Sequence, residues 1–305
     1  MRGPGVLPWC AALMMMAACE LTEVTVAAVE DSVIAEVILV AGPGPQRALL
    51  HRTRGVGADA GVAGADIEVR DAAGRALRFQ PASAGDCIDL PDDARTAAGS
   101  CYTSPAAAVF DVVPGATYTL RISLAGGGVL TATTTLPADF VVTAPASAAC
   151  AMPPDTAIEL RWTTAGDAWA YIAETSLAGI RPALAARGVT VSKEPLRLFG
   201  LAVSRADTTL VFPGDFGLFD RADEDVANAL IAIRRGLPPG VTATVIIAAA
   251  ERNYVNWARG GQFNPSGIVR VPSIRGAGTG VFAGLVAREL TLTTRPGSPL
   301  PACLR

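Results

Sequence analysis

The sequence predicts a mainly β fold with two β-sandwich domains of the immunoglobulin or fibronectin type, which follow a lipoprotein signal peptide. Three observations lead to this prediction. Short segments alternate apolar and polar residues, Gly- and Pro-rich turn signals separate them at short intervals, and an apolar N-terminal run ends in two small residues and a cysteine. The first two observations indicate the fold class, and the third indicates the compartment.

The N-terminus has the layout of a signal peptide. Arg2 precedes an apolar run of about 13 residues from Val6 to Ala18. At about 1.5 Å per residue, this run is too short to cross a hydrocarbon core of roughly 30 Å, so we expect residues 1–18 to be cleaved. Ala17-Ala18 before Cys19 resembles the lipobox of bacterial lipoproteins, which predicts that Cys19 is acylated and becomes the new N-terminus. The alternative is an ordinary secretory signal with an incidental Cys19.

Composition limits the possible partners. The formal charge is −3, and it becomes −4 when Arg2 leaves with the signal peptide. The chain has a single lysine, Lys193, and no basic cluster along the sequence, so nucleic acid is not an expected partner. Several acyl chains make a stable anchor, and we therefore expect an exported protein on the bacterial outer membrane. The sequence leaves open whether it faces the periplasm or the cell surface.

The cysteines predict disulfides. Cys10 lies in the signal peptide and Cys19 is the lipidation site, which leaves Cys87, Cys101, Cys150 and Cys303. Exported cysteines form disulfides, and four allow three pairings. We predict that Cys87 pairs with Cys101, closing a loop of about 15 residues, and that Cys150 pairs with Cys303. A metal site is the alternative, but no histidine lies near these cysteines in sequence, so none is predicted.

The first predicted domain covers residues 32–142, after a lipidated tether at 19–31. Alternation and β-branched content predict strands, and Gly- and Pro-rich turns separate them. The predicted strands are 33–40, 47–53, 65–71, 75–79, 108–113, 117–123 and 129–136. The interval 80–105 lacks periodicity and is predicted to be a long loop closed by the first disulfide.

The second predicted domain covers residues 157–305, after a Pro/Ala/Ser-rich linker at 143–156. Its predicted strands are 157–162, 169–174, 241–250 and 281–293. Residues 223–235 are the best helix candidate, because acidic residues lie in the first turn, Arg234 and Arg235 in the last, and Gly236 at the end.

Several segments, taken in order, resemble a known family. After the lipobox come the strand 33–40, the segment Gly64-Ala-Asp-Ile-Glu-Val, and Pro114-Gly-Ala-Thr-Tyr-Thr-Leu-Arg with a Thr-rich strand ending at Pro137; Glu251-Arg-Asn-Tyr and the glycine-rich segment 274–284 follow late in the chain. Together these segments resemble the envelope lipoproteins of domain-of-unknown-function family 4249. The resemblance implies an envelope location and a TonB-dependent outer-membrane transporter as a neighbour. It carries no functional residue across.

The sequence shows no enzyme motif. His51 is the single histidine, and it is predicted to be a surface or edge residue of a strand. G-x-S-x-G and H-E-x-x-H are both absent, so neither catalysis nor a cofactor is predicted. Asp86, Asp89, Asp92 and Asp93 could offer oxygen ligands to calcium, but their spacing is not that of an EF-hand.

Two further sequence patterns bear on possible binding sites. Gly276, Gly278, Gly280 and Gly284 depart from the dinucleotide-binding fingerprint and are predicted to form a turn or bulge. Aromatic side chains can stack on sugars; alternation places Trp162 and Tyr171 in the core. Tyr254, Trp257 and Phe263 lie beside turn signals and are predicted to form a ligand or partner surface.

The sequence therefore predicts a noncatalytic envelope lipoprotein that serves as an accessory binding protein for an outer-membrane transporter or another envelope partner. The alternative is a structural or adhesive surface module without a dedicated ligand. A hydrolase that uses carboxylates alone would require a pocket joining acidic residues that are distant in sequence.

Overall fold

The computed structural model describes residues 31–53, 60–87, 99–105, 111–192, 194–202, 204–215, 224–261 and 271–299. Residues from Asp31 onward form one compact unit. The predicted mainly β fold class is confirmed. The predicted signal peptide, Cys19 and most of the tether lie outside the described residues. In the part of the chain that is described, no helix is both long and apolar enough to cross a membrane.

Most elements lie where alternation and turn signals predict them. The first strands are β1 (Val33–Val40), β2 (Arg47–Arg52), β3 (Asp66–Arg70), β4 (Ala76–Arg78), β5 (Gln80–Ala82), β6 (Ser100–Thr103), β7 (Thr117–Ser123) and β8 (Val129–Thr135). They are followed by β9 (Val142–Ala144), β10 (Ala149–Met152), β11 (Ile158–Trp162), β12 (Ala170–Ala178), β13 (Leu196–Leu201), β14 (Thr209–Phe212), β15 (Thr242–Ala250), β16 (Arg275–Gly276) and β17 (Gly278–Thr294). The helices are α1 (Ala84–Cys87), α2 (Ile180–Ala185), α3 (Glu224–Ile233) and α4 (Arg252–Gly261).

The strands form three sheets. The large sheet has the order β13-β12-β15-β17-β1-β2-β6-β5, and β10 also pairs with β17. A five-stranded sheet has the order β16-β8-β7-β3-β4, and a three-stranded sheet has the order β14-β11-β9. Trp162 of β11 packs on Tyr171 of β12, with ring centroids 5.4 Å apart, so the three-stranded sheet covers that side of the large sheet. Buried side chains from all three sheets form one continuous core.

The long strand β17 joins the two halves of the large sheet. From Gly278 to Leu285 it pairs with β1 in parallel, and from Leu285 to Thr293 it pairs with β15 in antiparallel. Its first part also lies against β8, where Leu130 is close to Gly278. The first part of β17 therefore packs against the five-stranded sheet, and its second part pairs with β15, which in turn pairs with β12.

This arrangement differs from the predicted division into 32–142 and 157–305. The predicted linker 143–156 contains β10 and most of β9, and the large sheet takes strands from both sides of it. A Pro/Ala/Ser-rich composition predicts a linker because it contains few β-branched residues, but short edge strands tolerate such a composition. The pairing of β1 with β17 leaves no local signal in the sequence.

The glycine-rich segment, predicted as a turn or bulge, forms β16, a bend at Ala277 and the first part of β17. Gly280 has a φ of +142°, and a Cβ on it would lie 1.9 Å from the carbonyl oxygen of Ala35. A Cβ on Gly284 would lie 2.6 Å from the side chain of Leu136. These glycines therefore permit a close approach between β17 and its neighbours rather than the binding of a phosphate.

The helix predicted at 223–235 is confirmed as α3, whereas α2 and α4 were not predicted. The segment that forms α4 contains Asn253, Asn256 and a Gly pair, which indicate turns. However, Tyr254, Val255 and Ala258 have the spacing of one helical face, and they pack on the outer face of the large sheet. This spacing was the signal available for α4.

The predicted disulfide between Cys87 and Cys101 is confirmed, with Cα atoms 5.7 Å apart. It links α1 to β6. Cys150 is also disulfide-bonded. Its predicted partner, Cys303, lies outside the described residues.

Candidate functional site

An arginine-lined groove of about 730 Å³ lies where the outer face of the five-stranded sheet meets α4 and the segment before β16. We call it the arginine groove. Side chains of β3, β7 and β8 form its floor, and the first turns of α4 with residues 271–275 form its wall. The polar residues that line it are Glu68, Arg70, Thr119, Arg121, Thr131, Thr133, Arg252, Asn253, Asn256, Ser273 and Arg275.

Strand alternation places the floor residues on the outer face. In β7, Tyr118, Leu120 and Ile122 are buried in the core, so Thr119 and Arg121 point outward. The same alternation in β8 turns Thr131 and Thr133 outward. The polar half of each amphipathic strand therefore becomes the groove floor.

Sheet register sets the spacing of two arginines. Arg121 is opposite Thr131 across the β7–β8 pair, and Arg275 is opposite Thr131 across the β8–β16 pair. Arg121 and Arg275 thus lie in one row on either side of Thr131. Two strand spacings separate their backbones by about 10 Å.

The groove carries a local positive charge in a chain whose formal charge is −3. Its lining has four arginines and one carboxylate, Glu68. Glu68 forms ion pairs with Arg70 and with Arg78, at 2.9 Å in the second case. Within the described residues, Arg121 and Arg275 form no ion pair. Their guanidinium groups are therefore available to an anion.

The wall of the groove is fixed by the edge of β17. The Asn253 side-chain amide donates to the carbonyl oxygen of Phe282 at 3.1 Å. The Ser273 hydroxyl accepts a hydrogen bond from the Phe282 N–H at 2.7 Å. Ile274 N–H donates to the carbonyl oxygen of Gly280. These bonds take the place of a neighbouring strand along the first part of β17.

Glu251 starts the helix that forms part of this wall. It lies just before α4, and its carboxylate accepts hydrogen bonds from the N–H groups of Asn253 at 2.8 Å and Tyr254 at 3.1 Å. This is an N-cap, which satisfies donors that a helix start leaves open. Burial raises the pKa of the Glu251 carboxyl, and the hydrogen bonds from Asn253 and Tyr254 oppose that effect in part.

The raised pKa of Glu251 predicts a pH dependence of stability. Between the ordinary value of 4.5 and the raised value, the folded state binds more protons at this carboxyl than the unfolded state does. The stability that Glu251 contributes is therefore present at low pH and is lost as the pH rises through this window. We expect the free energy of unfolding of the wild type, relative to Glu251→Gln, to fall in urea denaturation as the pH rises above about 4.5.

Glu159→Gln is the control for this measurement. Glu159 is hydrogen-bonded to Arg161, which lowers the pKa of the Glu159 carboxyl. Because this pKa is lowered, any pH dependence of the difference in unfolding free energy between the wild type and Glu159→Gln has the opposite sign to that expected for Glu251→Gln. A constant difference between the wild type and Glu251→Gln across the pH range would contradict the predicted effect.

An exposed tryptophan lies next to Arg252, one of the residues that line the arginine groove. Trp169 is 47% exposed, and the Arg252 guanidinium lies 5.4 Å from the centre of its ring. A cation over an aromatic face is an attractive contact. Arg252 also lines the groove, whereas Trp169 is not one of its lining residues; the contact with Arg252 connects the ring to the groove.

The predicted aromatic surface is not formed as expected. Tyr254 is 9% exposed and packs on Trp257, with ring centroids 5.7 Å apart, in the apolar cluster beneath α4. Burial, with the nearby charges of Glu174 and Glu36, raises the pKa of the Tyr254 hydroxyl. Tyr254 therefore serves the core, and its prediction as an exposed ligand residue is wrong. Trp257 is half-buried, and Phe263 lies outside the described residues.

The other predicted residues form no cluster with the groove. The His51 imidazole lies 3.8 Å from the Glu36 carboxylate on strands β2 and β1. Asp86 accepts a hydrogen bond from the Ser83 hydroxyl at 2.6 Å, while Asp89, Asp92 and Asp93 lie outside the described residues. Across the described ranges, His, Cys, Asp and Glu form no group of three or more suited to a metal ion.

Sequence reasoning missed the groove arginines because they come from separate parts of the chain. Arg70 and Arg121 are on strands predicted correctly, and alternation alone places Arg121 outward. Arg252 and Arg275 join them through α4 and β16, neither of which was predicted.

Comparisons with known proteins do not identify a family for this chain. No family model matches the chain, and no curated protein matches it. Among solved structures, a DUF4785 family protein from Legionella pneumophila is similar, with 10% sequence identity and a TM-score of 0.21. The similarity covers 70% of this chain and 51% of that one, so this chain spans about half the length of that neighbour. A TM-score this low carries no argument about fold or function.

Proposed function

We propose that this chain is a noncatalytic envelope lipoprotein that binds an acidic ligand or partner in its arginine groove. The observation that carries the proposal is the charge of the groove, with four arginines and a single, ion-paired carboxylate in its lining. Guanidinium groups bind carboxylate and phosphate oxygens through paired hydrogen bonds. Lipidation at Cys19 would hold the groove at the outer membrane, as an accessory to a TonB-dependent transporter or another envelope partner.

The lining supports binding rather than catalysis. Apart from arginine, its polar groups are mainly hydroxyls and amides, which donate and accept hydrogen bonds but do not transfer protons near neutral pH. Glu68 is engaged by Arg70 and Arg78. The groove lining is therefore suited to binding a charged ligand rather than to transferring protons.

Site-specific cross-linking in intact cells tests this function. A photoreactive amino acid at Thr133, on the groove floor, is expected to give a defined covalent product that mass spectrometry identifies. The same amino acid at Thr209, which is exposed on β14 outside the groove lining, is the matched control. We expect the product at Thr133 alone.

Charge removal completes the test. Combining Arg121→Gln with Arg275→Gln is expected to abolish the product at Thr133, whereas Arg205→Gln, at an exposed arginine outside the groove lining, is expected to leave it unchanged. Identical products at Thr133 and Thr209, or a product that persists in the double variant, would contradict the proposed function.

A further inference from the structure

We infer that the ligand of the arginine groove is an acidic saccharide, a sugar chain that bears carboxylate or sulfate groups. This inference rests on the proposed function and specifies the ligand class of the same site. Three features carry it: a floor made by the face of a sheet, hydroxyl and amide groups that form no hydrogen bond to other described residues, and an exposed tryptophan beside the groove residue Arg252.

The floor is the face of a sheet, and short segments bond to parts of the nearby strand edges. Arg275 and Gly276 of β16 pair with β8 along its outer edge. Asn253, Ser273 and Ile274 bond to the first part of β17. An extended peptide most often binds by adding a strand to an open edge, whereas the groove residues of β7 and β8 project from the face of their sheet. They therefore suit a ligand that is bound by side chains rather than by a strand edge.

The floor instead offers side-chain groups that suit a polyhydroxylated ligand. The hydroxyls of Thr119, Thr131 and Thr133 form no hydrogen bond to other described residues, and the same holds for the Asn256 amide. Each of these groups both donates and accepts, as sugar hydroxyls do. Thr131 lies between Arg121 and Arg275 in one row, and Thr119 is opposite Thr133 in another row of the same floor, so neutral hydrogen-bonding groups and cations line one groove.

Trp169 supplies a stacking surface. Trp169 is 47% exposed although tryptophan is a costly residue to leave in water, and the guanidinium of Arg252, which lines the groove, lies 5.4 Å from the centre of its ring. The C–H face of a pyranose ring packs on an aromatic face, while the adjacent guanidinium binds an acidic substituent on the same sugar. Arg121 and Arg275, with backbones about 10 Å apart, would bind acidic groups further along the chain.

Calorimetric titration of the purified full-length protein tests this inference with defined probes. The acidic probes are hexagalacturonate and a heparin-derived hexasaccharide; maltohexaose is the neutral control, and hexaglutamate is the acidic peptide control. We expect at least one acidic saccharide to bind about tenfold or more tightly than hexaglutamate, and maltohexaose not to bind. Trp169→Ala should weaken binding about tenfold, since it removes both stacking and the support of Arg252.

The arginine variants separate the groove from other surfaces. Arg121→Gln with Arg275→Gln should weaken binding about 100-fold because two charge-assisted contacts are lost, and Arg205→Gln should leave it unchanged. Far-UV circular dichroism checks that each variant folds, and Trp169→Phe, which keeps a ring, should retain most of the affinity.

Three results would overturn the inference: no binding of either acidic saccharide, equal or tighter binding of hexaglutamate, or an unchanged affinity in Trp169→Ala. If any of these occurs while the cross-link at Thr133 remains dependent on the groove arginines, the saccharide assignment fails and the proposed function stands. If neither acidic saccharide binds and the cross-link at Thr133 does not depend on the groove arginines, the groove is rejected as a binding site.

Discussion

Gly280→Ala is expected to destabilise the protein by about 4 kcal/mol, because it combines backbone strain with a steric clash. Gly280 has a φ of +142°, which an alanine rarely adopts, and the new Cβ would lie 1.9 Å from the Ala35 carbonyl oxygen. The contacting atom belongs to the backbone of β1, so no flexible side chain can move away. The parallel pair of β1 and β17 would have to separate locally.

Urea denaturation measures this effect, and Gly126→Ala is the matched control. Gly126 lies in a turn where a Cβ meets nothing within 4 Å, so its change is expected to stay within about 0.5 kcal/mol. If both variants have equal stability, the close approach of β17 to β1 is not present in solution. Reduced affinity for groove ligands is expected to accompany the loss in Gly280→Ala, because the same segment of β17 holds Asn253 and Ser273.

Removing the disulfide with Cys87→Ala and Cys101→Ala is expected to lower the free energy of unfolding by about 3 kcal/mol. The bond closes a segment with a sequence separation of 14, which restricts the unfolded chain. In the folded state it links α1 to β6, one of the last two strands at that end of the large sheet. The loss should therefore appear mainly as a lower denaturation midpoint.

Reductant provides the control within the same protein. Reduction of the wild type should lower its stability by about 3 kcal/mol more than reduction of the double variant, which keeps the disulfide of Cys150 but lacks the Cys87–Cys101 bond. Equal responses to reductant would contradict a stabilising Cys87–Cys101 bond.

The elements with strong local signals were predictable from sequence. Strands β1 and β7 have the predicted boundaries, because alternation is regular and glycine or proline turns flank them. Helix α3 begins at the predicted acidic residues and ends at Ile233, just before Arg234, Arg235 and Gly236. The Cys87–Cys101 pair was predictable because only a short loop separates the two cysteines.

The pairing of distant strands and the arginine groove were not predictable in the same way. Arg121 and Arg275 lie in one row only because β8 pairs with β7 on one side and with β16 on the other. A two-residue strand such as β16 has no periodicity to detect. Tyr254 was misplaced for a related reason: its neighbours include Asn253 and Asn256, which indicate a turn, whereas the apolar face of α4 packs on the sheet and buries it.

An arginine footprint tests the central claim, that an acidic ligand occupies the groove, most directly. The full-length protein in its native membranes is treated with an arginine-selective dicarbonyl reagent before and after a high-salt wash, and mass spectrometry quantifies the modification of each arginine. Salt weakens binding that depends on exposed charges, so the wash should release an acidic ligand. The account predicts that Arg121 and Arg275 react slowly before the wash and faster after it, while Arg205 in the same molecules reacts at one rate throughout. Equal rates at Arg121 and Arg275 before and after the wash would contradict it.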